Sequence, residues 1–328
     1  MAVVTSATDI DRSAVELGFE QHRTELTAYC YRMLGSAFEA DDAVQETLVR
    51  AWRAFDKFEG RSSVRSWLYR IASNVCFDML KGRKRRALPI DIMEVGHADG
   101  PVDPPTAESN WIGPVPDRRV IGAAGPAEEV EERESVRLAF VAALQHLPPR
   151  QRAVLILREV LRWKASEVAE LLDTTVVSVN SALQRARATL ADCKLTALDA
   201  SDAIDDEQRE LLDRYVEAFE AFDIESLVKL LHDDATMSMP PYPLWLQGAD
   251  ELGTWLRGPG SACEGSRLVP VGANGAPGFA QWRRSPGGNY FAWCIHVLRV
   301  SDGRIAGIDF FVDDKLFPLF DQPVALDA

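Results

Sequence analysis

Residues 65–86, RSWLYRIASNVCFDMLKGRKRR, hold Arg65, Arg70, Lys81, Arg83, Lys84, Arg85 and Arg86 with Trp67, Tyr69 and Phe77 set among them, and Asp78 is the only acid. Arg61 stands just ahead. Guanidinium and ammonium groups at this density neutralise phosphates, while rings between them stack on unpaired bases of any sequence. The chemistry is recognition of a polyanion, not bond making. A second set could do acid–base work: His296 and Asp309 lie on strand-like segments, with Trp245, Trp282 and Trp293 as possible walls of a cavity. Proton transfer there needs an imidazole or carboxylate facing a substrate with a tuned pKa. A single His or Asp on a strand is more often structural. Cys30, Cys76, Cys193, Cys263 and Cys294 show no CxxC or Cys/His ligand spacing, so they read as reduced core thiols, and neither a metal nor a cofactor is expected.

The elements that must position these groups follow from periodicity. A chain of 328 residues exceeds one ordinary core. Helical spacing runs from about residue 11 to 82, stops in a Pro- and Gly-rich stretch, resumes at Glu131 and continues to about Leu195. A third region opens with a helix bearing Leu211, Tyr215 and Phe219 at helical spacing. It ends in strand-like segments RLVPVGA, GFAQWRR, NYFAWCIHVLRV and RIAGIDFFV. The expected organisation is multidomain: an all-α helical domain over 10–86, a linker over 87–130, a second all-α domain over 131–196 and an α+β domain over 205–325. No membrane span or leader peptide is read, and a cytoplasmic protein is expected.

Charge is uneven. The net charge is -14, yet residues 201–328 alone hold 21 Asp/Glu against 10 Lys/Arg. The first two thirds are therefore close to neutral, and their basic clusters are local.

On a helical wheel Val64, Trp67, Leu68, Ile71, Val75 and Met79 form an apolar stripe. Arg70, Asn74, Phe77 and Lys81 make a row opposite it, suited to single-stranded nucleic acid or, more plainly, to packing of Phe77 on a neighbouring helix. In the helix before it, Val44, Leu48, Trp52 and Phe55 read as buried, with Asp42, Gln45, Glu46 and Arg53 on another side. Further on, SEVAELL, a DTT turn and VVSVNSALQRARATL have the plan of a helix-turn-helix. Val179, Leu183, Ala186 and Leu190 would be its buried row. Ser178, Asn180, Ser181, Gln184, Arg185 and Arg187 would face outward.

The stretch from Asp41 to Arg86 resembles conserved region 2 of sigma-70-type RNA polymerase sigma factors, in the extracytoplasmic-function group. The helix-turn-helix is similar to sigma region 4. The resemblance implies that Asp42, Gln45, Glu46 and Arg53 dock on the clamp of the polymerase largest subunit. It implies that Arg61, Ser62, Arg65, Arg70, Asn74, Phe77, Lys81 and Arg83 open and hold the -10 promoter element. Region 4 would read the -35 element through Ser178, Asn180, Ser181, Gln184, Arg185 and Arg187 and dock on the flap of the second-largest subunit. Asn180 and Ala182 stand where the family more often carries basic residues, but asparagine and glutamine can still pair with adenine.

NWIGPVPD, residues 110–117, resembles a Trp/Pro element in the linker of sigma factors with an extra C-terminal domain. The α+β region resembles the SnoaL-like branch of the NTF2-like fold, a cone with an apolar cavity that could take a small-molecule ligand. The resemblance implies a regulatory domain contacting the sigma domains, with DFFVDDKLFPLFDQP (309–323) as a docking element. The leading reading is a promoter-specificity subunit, not an enzyme. The alternatives are a polymerase-independent, ligand-sensing DNA-binding regulator and a cyclase or isomerase fused to DNA-binding helices.

Overall fold

The computed structural model describes residues 18–58, 60, 62–122, 125–192 and 206–327. The first helical unit is built from α1 (Arg23–Leu34), α2 (Ala37–Ala54) and α3 (Val64–Leu80). Two residues separate α1 from α2, a turn tight enough to need Gly35 in the left-handed region at φ 72°. Ser36 then caps α2 by accepting from Glu39 N–H, and Ser63 caps α3 by accepting from Ser66 N–H at 3.1 Å.

The second unit comprises α4 (Pro126–Val136), α5 (Leu138–Gln145), α6 (Pro149–Leu155), α7 (Ala165–Leu171) and α8 (Val176–Asp192). Helix α4 starts at Pro126, earlier than the periodicity at Glu131 suggests, because Pro fits a first helical position whatever the pattern that follows. Asp173, at φ 50°, turns the chain between α7 and α8.

The third unit carries α9 (Asp206–Glu220), α10 (Ile224–Leu230) and α11 (Ala249–Arg257) on a seven-stranded sheet. Its strands are β1 (Leu231–Ser238), β2 (Trp245–Gln247), β3 (Arg267–Ala273), β4 (Ala276–Arg284), β5 (Tyr290–Ser301), β6 (Arg304–Phe311) and β7 (Ala325–Leu326). Their order is β2-β1-β6-β5-β4-β3, with β7 on β5 and only the β1–β6 pair parallel. Strands β1 and β2 escape a sequence reading because HDD and PPYP interrupt the apolar alternation.

Two apolar cores hold these units together, and they do not coincide with the units. One lies between the inner face of the sheet and α9–α11, around Tyr215, Phe219, Met237, Leu298 and Phe310. The other joins both helical units and extends without a break onto the outer face of the sheet, where Ala280, Trp282, Ile295, Val297 and Phe311 belong to it. Since strand side chains alternate between faces, the outer face of β4 and β5 is committed to the helices as firmly as the inner face is to the cone.

The stretch 87–122 is a strap packed at its two ends, 87–90 and 111–120, and largely exposed between them. Trp111, Ile112 and Val115 are buried, Ala87 and Trp111 form a parallel bridge, and Pro116 bridges Ala273 on β3. It lacks a period because its partners are backbone groups of the first and third units, such as Gly35, Pro241 and Trp245. The β3–β4 hairpin turn, Asn274-Gly275, has both residues at positive φ (57° and 68°), as a two-residue hairpin turn requires. A Cβ on Gly275 would stand 2.5 Å from the Arg133 carbonyl oxygen, so this close approach to α4 needs glycine. The segment 309–323 folds over the outer sheet face through a one-turn helix, α12 (Leu316–Leu319), with Phe317 edge-on to Trp282.

Candidate nucleic-acid interface

Helix α8 exposes the row expected of it. Ser178, Asn180, Gln184, Arg185 and Arg187 are exposed and Ser181 is half-buried, while Val179, Leu183 and Ala186 pack inward. Thr175 caps the helix by accepting from Ser178 N–H at 3.1 Å, which fixes the first turn. Arg187 pairs with Glu159 at 2.7 Å. Val177, 75% exposed, stands at the start of this face, and the sequence reading passed over it. An exposed β-branched residue beside a helix cap is a signal of surface contact, since apolar groups in the major groove meet thymine methyls.

Helix α3 presents a different picture. Arg70 donates to the carbonyls of Glu170 (2.8 Å) and Leu171 (3.3 Å), the C-terminal end of α7, where the helix dipole favours a cation. Arg65 pairs with Glu25 at 2.6 Å and lies over the Tyr69 and Trp163 rings. Burial alone would raise the Glu25 carboxyl, but Arg65 and His22 beside it outweigh that and hold it below the usual carboxylate range. Phe77 is half-buried against the helical core, with the Arg150 guanidinium 5.9 Å from its ring centre. The outward stacking platform expected at Phe77 is therefore covered in this arrangement by a residue from the second helical unit. Asn74 and Lys81 remain exposed, Ser62 is half-buried and Arg83 pairs with Glu39. Arg61 lies outside the described residues. Arg86, from the same basic run, is buried and donates to the Glu108 and Trp111 carbonyls, so it anchors the strap.

On α2, Asp42, Gln45, Glu46 and Arg53 are exposed on one side, joined by Val49 and Trp52 at 41% and 46% exposure. Trp52 is not part of the buried stripe as the sequence reading had it. At 100° per residue it falls about 80° from Val44 but only about 20° from Gln45, in a row at i, i+4, i+7 with Val49.

The helical units are welded by two buried arginines. Arg32 donates to Ser135 Oγ (2.5 Å) and its carbonyl (3.1 Å). Arg152 donates to the Met33 carbonyl, Gln145 Oε1 (2.6 Å) and the Leu147 carbonyl (3.1 Å). Burial lowers both guanidinium pKa values to about 10. The hairpin turn of the sheet completes the junction. The Asn274 side chain accepts from Val115 N–H (3.0 Å) and donates to Tyr31 Oη (2.6 Å) and the Val136 carbonyl (2.8 Å). One buried amide thus holds α1, the strap and α4 at once. Asp117, at the end of the strap, accepts from Gly275 N–H at 2.7 Å, and burial raises its carboxyl to about 6.

The cone leaves little room. A residual space of about 20 Å³ lies among Tyr215, Phe219, Leu227, Met237 and Phe310, enough for about one water. His296 faces inward, fully buried, between Tyr215 Oη and Gln281 Oε1, both at 2.9 Å. Burial lowers it to about 3, so it is neutral. Asp309 is on the opposite face, where its carboxylate accepts from Ser238 Oγ at 2.5 Å. The pairing of His296 with Phe310, and of Asp309 with Val297, explains the separation: one residue along a strand reverses the face. Trp282 also belongs to the outer core and donates to the Pro323 carbonyl, and Trp245 donates to the Met93 carbonyl. Trp293, half-buried at the edge of the cone, lies under Arg283 at 4.2 Å. The three tryptophans expected as walls and the His296 and Asp309 expected to face the cavity therefore do not meet in one space.

Comparison with known proteins matches residues 19–86 to Sigma-70 region 2, residues 137–190 to Sigma-70, region 4, and residues 212–308 to the SnoaL-like domain. The chain is 46% identical over 310 residues to the ECF RNA polymerase sigma factor SigG of Mycobacterium tuberculosis, covering 94% of this chain and 83% of that protein. It is 28% identical over 221 residues to SigJ of the same organism, covering 67% of this chain and 63% of that protein. The crystal structure of SigJ superimposes with a TM-score of 0.60 over 96% of this chain and 100% of that chain, at 21% identity, a likeness of fold.

Proposed function

Given that the chain belongs to the extracytoplasmic-function group of sigma-70 RNA polymerase sigma factors and carries a C-terminal SnoaL-like domain, we propose that the closed arrangement is its resting form and that the SnoaL-like domain holds it. As a sigma factor it directs promoter-specific transcription initiation. On the proposed reading α8 contacts the -35 element, and α3 with the loop before it holds the opened -10 strand. The side of α2 bearing Asp42, Gln45, Glu46, Val49, Trp52 and Arg53 docks on the polymerase clamp. The second unit meets the flap, and the cytoplasm is where these partners act.

The observation that carries the resting-form proposal is the contact of Arg70 and Phe77 with the second helical unit, through the α7 carbonyls and Arg150. Promoter elements about 25 base pairs apart are separated by about 85 Å of duplex. A compact chain of this length is about 50 Å across. Both faces cannot engage their elements until the units part, and parting also frees Arg70 and Phe77.

The clasp to release is Asn274. Replacing it by glycine keeps the positive φ and removes three hydrogen bonds, leaving the Val115 N–H and the Val136 carbonyl unpaired at about 1–3 kcal/mol each, while the Tyr31 hydroxyl keeps its bond to the Gly113 carbonyl. With core polymerase, Asn274→Gly is expected to bind forked -10 DNA more tightly and to give more run-off transcript than the parent chain. Equal binding and equal transcript, with small-angle scattering showing a more open chain, would refute the regulatory role. What speaks against the cyclase or isomerase reading is the separation of His296 and Asp309 onto opposite faces of the sheet, which gives no shared acid–base site.

A further inference from the structure

A cavity of about 400 Å³ lies where the corner between α4 and α5 faces the outer side of the sheet. It is separate from the cone, and its volume is within the range of small-ligand pockets, about 300–1,000 Å³. Small half-buried side chains make the room: Ala139 on the helical wall, and Ala276, Pro277 and Ala306 on the sheet. The charges select the occupant. Arg137, at the helical corner, and Arg299, on β5, line the space from its two walls, and the one carboxylate among the described lining residues is the exposed Asp234. Arg299 is held in place by the sheet itself. Its guanidinium crosses β6 at Gly307, where a Cβ would collide with it, and Nη2 donates to Thr236 Oγ1 on β1. Nε stands 3.9 Å from the Asp309 carboxylate, near enough for attraction but beyond hydrogen-bond range. The side chain is still 35% exposed, and a guanidinium carries more N–H donors than the one that Thr236 takes. An ordered, part-exposed guanidinium beside apolar walls suits a carboxylate, whose two oxygens match its forked donors.

We propose that this cleft binds a small carboxylate with an apolar body, its oxygens accepting from Arg299 and Arg137 and its carbon skeleton resting on Ala139, Pro277 and Ala306. The assignment of the DNA faces plays no part in the site. Its walls belong to the second and third units, so an occupant favours their contact by the factor 1 + [L]/Kd, about 100-fold at a hundred times Kd. On the resting-form reading a bound carboxylate therefore holds the chain closed, while binding itself does not depend on that reading.

The test titrates the full chain, its alanine methyls labelled with 13C and assigned, with 3-phenylpropanoate at low salt, and uses the uncharged 3-phenylpropanamide as matched control. Saturable binding of the acid is expected at millimolar concentration, with nuclear Overhauser contacts from the probe ring to the methyls of both Ala139 and Ala306. The amide is expected to bind about tenfold more weakly. Arg299→Gln is expected to weaken the acid about tenfold and to leave the amide unchanged. Should that variant not fold, Arg137→Gln on the opposite wall is expected to give the same split between acid and amide. Equal binding of acid and amide, contacts confined to one wall, or an acid affinity untouched by the arginine substitutions would overturn the site.

Discussion

On α8 the outward side chains stand clear, with Ser178 and Arg187 bonded only to neighbours in their own helical unit, Thr175 and Glu159. On α3, Arg70 and Phe77 are met from the second helical unit, by α7 and Arg150, while Arg65 pairs with Glu25 of its own unit. Both helices are amphipathic with a basic polar face, yet one face stands clear in the closed chain and the other is partly engaged, with Asn74 and Lys81 exposed and Arg70 and Phe77 in contact with the second unit. On the proposed reading, duplex contact by α8 would need no rearrangement, whereas holding a melted strand on α3 would compete with contacts the chain makes to itself. On that same reading, the contacts that oppose opening are those of Arg152, Asn274 and Asp117 together with those of Arg70 and Phe77.

The most direct way to break the contrast is to break the weld. Arg152→Met removes a buried guanidinium that serves four acceptors on both sides of the helical junction. A loss of about 3–5 kcal/mol is expected by chemical denaturation, because carbonyls are left unpaired in the core. A loss below about 1 kcal/mol would mean that the two units are not welded there.

A smaller effect is expected from protons. Asp117 has its pKa raised to about 6 by burial, despite the Gly275 amide and Arg133 nearby. Between the ordinary carboxylate range near pH 4 and about pH 6 the closed form therefore binds more protons than the open or unfolded chain. Closure is strongest below that window and weakens as pH rises through it, by up to about 3 kcal/mol, with no further change above it. Asp117→Asn is expected to flatten the pH dependence of unfolding between pH 4 and 6, and an unaltered slope would remove Asp117 from the junction.

The smallest effect sharpens the contrast from the open side. Arg185→Ala is expected to weaken binding to -35 duplexes of every sequence by about 1 kcal/mol and to reduce the slope of log affinity against log salt by about 0.9. The same loss should appear in Asn274→Gly, because the α8 face is equally exposed in closed and open chains. A loss seen only in the opened variant would show that α8 too is hidden at rest.

Sequence patterning was most informative within helices. The buried row Val179, Leu183 and Ala186 follows from spacing alone, because a helix repeats its faces at 3.6 residues whatever surrounds it. Trp52 was placed on the wrong side because its angle lies at the border between stripes. The strap has no period to read because its order comes from backbone partners contributed by Gly35, Trp245 and Asn274, far apart in the chain. For the cavity set, alternation along β5 and β6 was legible but register was not, and a single residue of offset sent His296 and Asp309 to opposite faces.

Local periodicity, capping residues such as Ser36, Ser63 and Thr175, the Asn274-Gly275 turn and the basic-aromatic run over 65–86 are properties of neighbouring residues. The sequence by itself therefore determined the helices, the hairpin and the kind of partner they suit. Which basic groups are available, which sheet face joins the helical core and where an empty pocket remains depend on contacts between residues one hundred or more positions apart, such as Arg70 with Glu170 and Asn274 with Tyr31. Those contacts have no period to read, and only the tertiary structure decided them.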